Sequence, residues 1–222
     1  MPGRLLIVED HELLAESLAL SLRAQGHDVV VTPAVRGYDS ILDDAVEAQP
    51  DVVLLDLHLG DEVGTSLPLI PRLSRAGTRV VMVTGVTDEI ELAMCIEAGA
   101  VGVVSKAVPF ETLVDDVDRI LRGQQIMTEG EREQLLHTLR QARAAERERM
   151  EPFETLTPRE QTVLALLMDG HQADRIAEEC FVSLATVRSQ IRSILQKLGV
   201  NSQLAAVAMA RRAGWQPAVE AG

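Results

Sequence analysis

Short apolar runs alternate with amphipathic stretches through the first 122 residues of the chain. Five runs read as strands: Arg4–Val8, Asp28–Thr32, Asp51–Asp56, Arg79–Thr84 and Val101–Val104. They are rich in Val, Leu and Ile without strict period-two alternation, the pattern of parallel strands buried on both faces. Between them the apolar spacing predicts helices over His11–Gln25, Val35–Ala48, Gly64–Arg75 and Asp88–Ala98, with a fifth over Pro109–Arg122. In that fifth helix Phe110, Leu113, Val114, Val117, Ile120 and Leu121 make an apolar stripe, and Asp115, Asp116 and Asp118 fall mostly outside it. Five strand–helix units in this order predict a doubly wound α/β domain built on a five-stranded parallel sheet.

Beyond Gly123 the period changes. Thr128 with Glu131 three residues later has the form of a capping box. The helix it opens is expected to run to about Met150, carrying Leu135, Leu136 and Leu139 as a short apolar patch and a mixed-charge, solvated second half. This reads as a spacer helix, with a dimer seam as the alternative. Pro152 and Pro158 then introduce four helices, at Pro158–Met168, Ala173–Cys180, Leu184–Lys197 and Ser202–Arg212. Gly170 and Gly199 stand at helix ends and Ser183 at an N-cap position. The expected organisation is an α/β domain over 1–122, a helical linker over 123–151 and an all-α four-helix domain over 152–222.

Composition adds to this pattern. Apolar residues at 46% and charged residues at 25% fit a globular chain, not a disordered or collagenous one. Aromatics at 2% leave too few ring faces for a single-strand nucleic-acid platform. No apolar run approaches the roughly 18 residues that span a bilayer, and the N-terminus has no signal-peptide layout. Cys95 and Cys180 fit neither a disulfide framework nor a zinc spacing, so a reduced, cytoplasmic protein without a membrane partner is expected. The net charge of −13 is uneven: residues 1–122 carry −12, 123–154 carry −2 and 155–222 carry +1. Two domains with different partners follow from that asymmetry.

Ligands of open α/β sheets bind beyond the carboxyl ends of the strands, where strand order reverses. Those ends carry Glu9 and Asp10, Asp56, Thr84 and Lys106. In a flavodoxin-like order 2-1-3-4-5 the first and third strands are neighbours, which brings Asp10 and Asp56 together. Three carboxylates facing one ammonium call for a cation, and hard oxygen ligands favour Mg²⁺. Such an arrangement would let Asp56 accept a phosphoryl group, with Thr84 and Lys106 contacting the transferred oxygens.

Ile7-Val8-Glu9-Asp10, Val52–Leu57, Val81–Gly85 and Gly102–Lys106 resemble a response-regulator receiver domain over residues 4–122. The resemblance implies Asp56 as phosphoacceptor from a sensor histidine kinase, with Asp10, Asp56 and the His58 backbone carbonyl on Mg²⁺ and Glu9 assisting. It also implies slow self-phosphorylation and self-dephosphorylation at most, and no enzymatic turnover. Two departures stand out. Leu59-Gly60-Asp61 replaces the family's Met-Pro-Gly after the acceptor strand, and Val103 stands where the family has a switching aromatic. A short, stiff valine predicts switching that is muted on that face or carried by the loop after Thr84.

In the tail, Arg188, Ser189, Arg192 and Gln196 share one face of the third helix, and an arginine can read guanine bidentately while Lys197 suits a phosphate. Leu156–Glu160, Ile176-Ala177, Ser183, Thr186-Val187-Arg188 and Lys197–Ser202 resemble a LuxR-type helix-turn-helix domain. The whole chain is thereby similar to the NarL/FixJ-type transcriptional regulators. That likeness implies contacts to double-stranded promoter DNA through Arg188, Ser189, Arg192 and Lys197. It further implies a homodimer through Ser202–Arg212, and RNA polymerase as a partner. Gln172-Ala173-Asp174-Arg175 departs from the family's Ser-Asn-Lys-Glu, losing a cap and exchanging two charges. The scattered histidines suggest no metal site, and Trp215 is expected to pack the last helix. Two other readings stay open here: a phosphorylation-independent regulator gated by dimerisation or a ligand, and a Mg²⁺-dependent aspartyl phosphatase.

Overall fold

Strands β1 (Arg4–Glu9), β2 (Asp28–Pro33), β3 (Val52–Leu55), β4 (Arg79–Thr84) and β5 (Gly102–Ser105) form one parallel sheet in the order β2-β1-β3-β4-β5. The computed structural model describes residues 3–33 and 37–217, without the side chains of residues 61 and 62. Pairing of Val8 with Leu55 lets Glu9, Asp10 and Asp56 leave the sheet side by side. The Asp56 amide is held on the Val8 carbonyl at 3.0 Å. Helix α1 (Glu12–Ala24) lies on one face, and α2 (Gly37–Ala48) lies on the other, each burying an apolar stripe against the sheet. Val35, the expected start of α2, lies outside the described residues.

The stretch expected as one helix from Gly64 to Arg75 is broken. A short α3 (Gly60–Val63) precedes it, and its place is taken by a 3-10 turn at Leu67–Leu69 and α4 (Ile70–Arg75). Pro68 and Pro71 each fall in a first turn, where a missing N–H costs nothing, so each starts a new helix instead of continuing an old one. Gly60 and Gly64, at φ 69° and 74°, bracket α3. Tyr38 on α2 donates to the carbonyls of Thr65 (2.5 Å) and Val63 (3.2 Å) and fastens this loop beside the acidic strand ends. Helices α5 (Glu89–Ala98) and α6 (Phe110–Leu121) complete the sandwich on opposite faces.

The segment after α6 crosses the sheet at its β5 edge. Ile126 packs into the core shared with α1 and α6, and Met127 into the core shared with α2 and α5. A Cβ on Gly102 would stand 2.6 Å from Ile126, so the edge strand needs glycine at that position to admit the connector. Helix α7 (Glu129–Glu154) follows, opened by the reciprocal Thr128–Glu131 bonds anticipated from sequence.

Two compact units divide the chain at Met1–Gln141 and Ala142–Gly222. The linker expected as a separate segment over 123–151 is thus shared between them. Leu135 and Leu136 pack against the core of the first unit, while Met150 and Phe153 join the core of the second. Helix α7 runs through Pro152 because burial of Phe153 outweighs the lost hydrogen bond one turn from the helix end. The second unit adds α8 (Pro158–Met168), α9 (Ala173–Glu179), α10 (Leu184–Lys197) and α11 (Gln203–Ala213). Trp215 is buried at 4% exposure and stacks on Phe153, their centroids 5.5 Å apart.

Phe153→Ala should therefore lower the stability of the second unit by about 3–5 kcal/mol. Urea unfolding followed by the fluorescence of Trp215, the single tryptophan of the chain, measures this directly. A transition unmoved by the substitution would contradict the packing described.

Candidate functional site

Four strand ends build the acidic pocket. Glu9 and Asp56 are buried at 4% and 5% exposure. Lys106, placed past β5 by its amide bond to the Thr84 carbonyl (2.9 Å), sends Nζ to Glu9 Oε2 at 2.7 Å and to Asp56 Oδ2 at 2.7 Å. One ammonium thus ties β1, β3 and β5 together at the carboxyl edge. Burial pushes the Glu9 carboxyl above its ordinary range, against the lowering effect of Lys106. Burial acts on Lys106 in the opposite sense, yet its hydrogen bonds to Asp56 and Glu9 prevail and hold it charged. Asp10 is more exposed; burial is the largest single influence and raises it, but hydrogen bonds with His11 and Glu9 and the charges of His11 and Lys106 together hold it low.

His11, one of the scattered histidines expected to hold no metal, stands at the rim of this pocket. Its Nδ1 lies 2.8 Å from Asp10 Oδ1, and the paired carboxylate raises the imidazole above its usual value. Ligand atoms of Glu9, Asp10, His11 and Asp56 all lie within 4.8 Å of one another. Its position directly after Asp10 was the available signal. The donor set is dominated by carboxylate oxygen and carries more negative charge than Lys106 offsets, so it fits a hard divalent cation such as Mg²⁺. The His58 imidazole takes no part and lies 3.8 Å from Glu91 on α5, so its expected contribution rests on its backbone carbonyl alone.

Thr84 is buried and its Oγ1 accepts from the Val86 amide at 3.1 Å. With one lone pair engaged there, the hydroxyl still has its proton to donate. Val103 is partly buried in the same hydrophobic cluster as Met127, Leu135 and Leu136.

In the second unit, Ser183 caps α10 by accepting from the Thr186 amide at 3.1 Å. Val187, Ile191 and Ile194 are buried, which leaves Arg188, Ser189, Arg192 and Gln196 exposed on the opposite face. The preceding α9 has no side-chain cap from Gln172, as the altered motif implied. Lys197, expected on a phosphate, is exposed and paired with α8. Its Nζ donates to Glu160 Oε2 (2.6 Å) and to the Thr155 carbonyl (2.8 Å). Glu160 is also the N3 member of the α8 capping box with Thr157 and accepts from Ser193 on α10 at 2.6 Å. Although burial opposes it, bonds from Lys197, Ser193 and Thr157 hold this carboxyl down to about 2. The cluster ties α8 to α10 and fixes the exposed face of α10.

Residues 5–118 match the family described as the response regulator receiver domain, and residues 154–210 match the bacterial regulatory proteins of the luxR family. The chain belongs to the response regulators, with a receiver domain and a LuxR-type DNA-binding domain. It is 30% identical over 211 residues to the transcriptional regulatory protein LiaR of Bacillus subtilis, covering 94% of this chain and 97% of that one. It is 28% identical to the response regulator VraR of Staphylococcus aureus over 93% of this chain and 95% of the relative. Among solved structures, the RcsB response regulator in complex with DNA shares the fold at 21% identity and a TM-score of 0.50, covering 95% of this chain and 98% of that chain.

Glu160 gives the second unit a defined pH dependence. Its folded-state value of about 2 lies below the ordinary 4.5, so its contribution is complete above about pH 4.5 and disappears as pH falls toward 2. Linkage puts that contribution on the order of 3 kcal/mol. Urea unfolding of wild type and Glu160→Gln should diverge near neutrality and converge near pH 2; parallel curves across the range would refute the assignment.

Proposed function

We propose that this response regulator accepts a phosphoryl group on Asp56 from a sensor histidine kinase and then binds paired promoter half-sites as a homodimer. The observation that carries the reading is Lys106 bridging the buried Glu9 and Asp56, its own amide held on the carbonyl of Thr84. An Asp56 oxygen attacks phosphorus, the phosphorus–nitrogen bond of the kinase phosphohistidine breaks, and an acyl phosphate forms. Lys106, already in contact with Asp56, pairs with the oxygens of the transferred group. Thr84 donates its hydroxyl proton to one of them. Mg²⁺ held by Glu9, Asp10, Asp56 and the His58 carbonyl would supply further countercharge on those oxygens. The chemistry is limited to slow self-phosphorylation from small donors and slow self-dephosphorylation, without turnover of a substrate.

On the DNA side, α10 would enter the major groove with Arg188, Ser189 and Arg192 at bases or phosphates. Lys197 orients that helix from behind through Glu160. Helix α11 would form the dimer, and the bound pair would meet RNA polymerase. Among the described residues no helix is long and apolar enough to cross a membrane, in keeping with a regulator placed in the cytoplasm with its promoter.

Wild-type chain treated with Mg²⁺ and a small phosphodonor should gain one phosphoryl group by intact mass and enrich one paired motif from a random DNA pool. Asp56→Asn should do neither. Enrichment of the same motif by both would instead mark a phosphorylation-independent regulator, the reading that Val103 and the Leu59-Gly60-Asp61 loop favour.

Salt titration separates the roles on α10. Arg188→Ala or Arg192→Ala should remove base discrimination of about 1–3 kcal/mol or lower the salt slope by about one contact. Lys197→Met should leave that slope unchanged while lowering the stability of the second unit. A reduced slope in Lys197→Met would return this lysine to the phosphate backbone.

A further inference from the structure

We propose that the phosphorylation state of Asp56 reaches the DNA-binding unit through the seat of α7 on α5 and β5, with Arg132 as the coupling residue. The inference rests on the reading of Asp56 as the phosphoacceptor. Helix α5 links the two ends of the path. At its start, Asp88 accepts from the Ile90 and Glu91 amides, and residues 85–88 join it to Thr84, whose hydroxyl holds the Val86 amide. At its end, Gly99 turns the chain at φ 116°, its amide donating to the carbonyls of Cys95 and Ile96. Arg132 donates to the same Ile96 carbonyl at 3.4 Å and to the Ala100 carbonyl, just past the helix, at 3.3 Å. A cation at a helix C-terminus also meets the negative end of the dipole.

Thr84 and Arg132 thus stand at opposite ends of one ten-residue helix, about 15 Å long at 1.5 Å per residue. When the Thr84 hydroxyl turns to a phosphoryl oxygen, the Val86 amide it holds is drawn along. The N-terminus of α5 shifts, and a packed helix of this length shifts as a body. The carbonyls under Arg132 move with it.

The seat is more than one side chain. Met127, Leu135 and Leu136 pack in the cluster that also contains Val103, Cys95 and Ile96. Val103, too short to report by swinging a ring, is already part of the surface on which the linker rests. The same α7 carries Met150 and Phe153 into the core of the second unit. A change in how its first turns are seated therefore has a continuous covalent and helical route to the helix-turn-helix. Linkage makes the coupling reciprocal, so bound operator must also change the equilibrium for Asp56 phosphorylation.

The test uses the full chain and the operator selected by the wild type. Phosphorylation is driven with Mg²⁺ and acetyl phosphate, its extent read by intact mass, and operator affinity measured with and without the donor. The wild-type ratio should lie in the range of about 5- to 150-fold typical of coupled sites. Arg132→Gln should bring that ratio close to one with the extent and rate of Asp56 phosphorylation unchanged, and Arg132→Lys should restore part of it. An unchanged ratio in Arg132→Gln overturns the inference. Hydrogen exchange on the unmodified chain gives an independent check that needs no variant. Mg²⁺ with beryllofluoride should alter protection across 129–141, and unaltered protection there overturns the inference equally. A wild type that takes up no phosphoryl group marks a failure of the Asp56 reading itself, whereas one that is phosphorylated without any change in operator affinity overturns the inference alone.

Discussion

The ammonium of Lys106 between Glu9 and Asp56 is the contact on which the receiver depends. Two carboxylates buried at 4% and 5% exposure at adjacent strand ends repel each other and lose hydration. A single cation carried past β5 offsets both, joining segments 97 and 50 residues apart in sequence. Because β4 lies between β3 and β5, the lysine must reach across the end of β4, which sets Thr84 at the same pocket. The contact that makes the buried charges tolerable also fixes the Asp56 oxygen in place. Negative charge still exceeds positive there, and that surplus suits the pocket to a hard divalent cation.

The second unit uses the same components to a different end. Glu160 is a buried carboxylate met by a single lysine, and again the pair joins distant segments, α8 and α10. Here the carboxylate also accepts from Ser193 and from the backbone and hydroxyl of Thr157. Its acceptor capacity is filled, so it recruits nothing further and acts as a fastening. The difference between a reactive and an inert buried carboxylate lies in how many donors surround it, and in whether net charge is left over.

The sheet was legible because its strands are continuous apolar runs, and their ends carried the pocket residues by simple alternation. Less legible were positions where packing overrides local rules. Pro152 read as a break, yet α7 continues because Phe153 has a core to fill. Pro68 and Pro71 lie within helical spacing, which suggested one helix where a 3-10 turn and a short helix stand. The ion pair of Lys197 with Glu160, 37 residues earlier, was likewise not legible in the sequence, because spacing does not encode a contact between two helices. His11 was discounted as one of several scattered histidines, although adjacency to Asp10 put it at the pocket rim. The apolar patch of Leu135 and Leu136 was recognised, but whether it faced a second chain or this chain's own receiver is a matter of tertiary placement that spacing does not encode.

The crossing of the sheet edge by Ile126 and Met127 alters what counts as the end of the receiver. The last helix of the α/β pattern stops at Leu121, and a cut after Arg122 follows the sequence boundary. Such a fragment would lose Ile126 from one core and Met127, Leu135 and Leu136 from the other, and would uncover β5 as a second open edge of the sheet. Uncovered strands with bared apolar neighbours pair with other chains. An isolated receiver ending at 122 is for that reason an aggregation-prone object, whereas one that keeps the first turns of α7 retains its own edge protection.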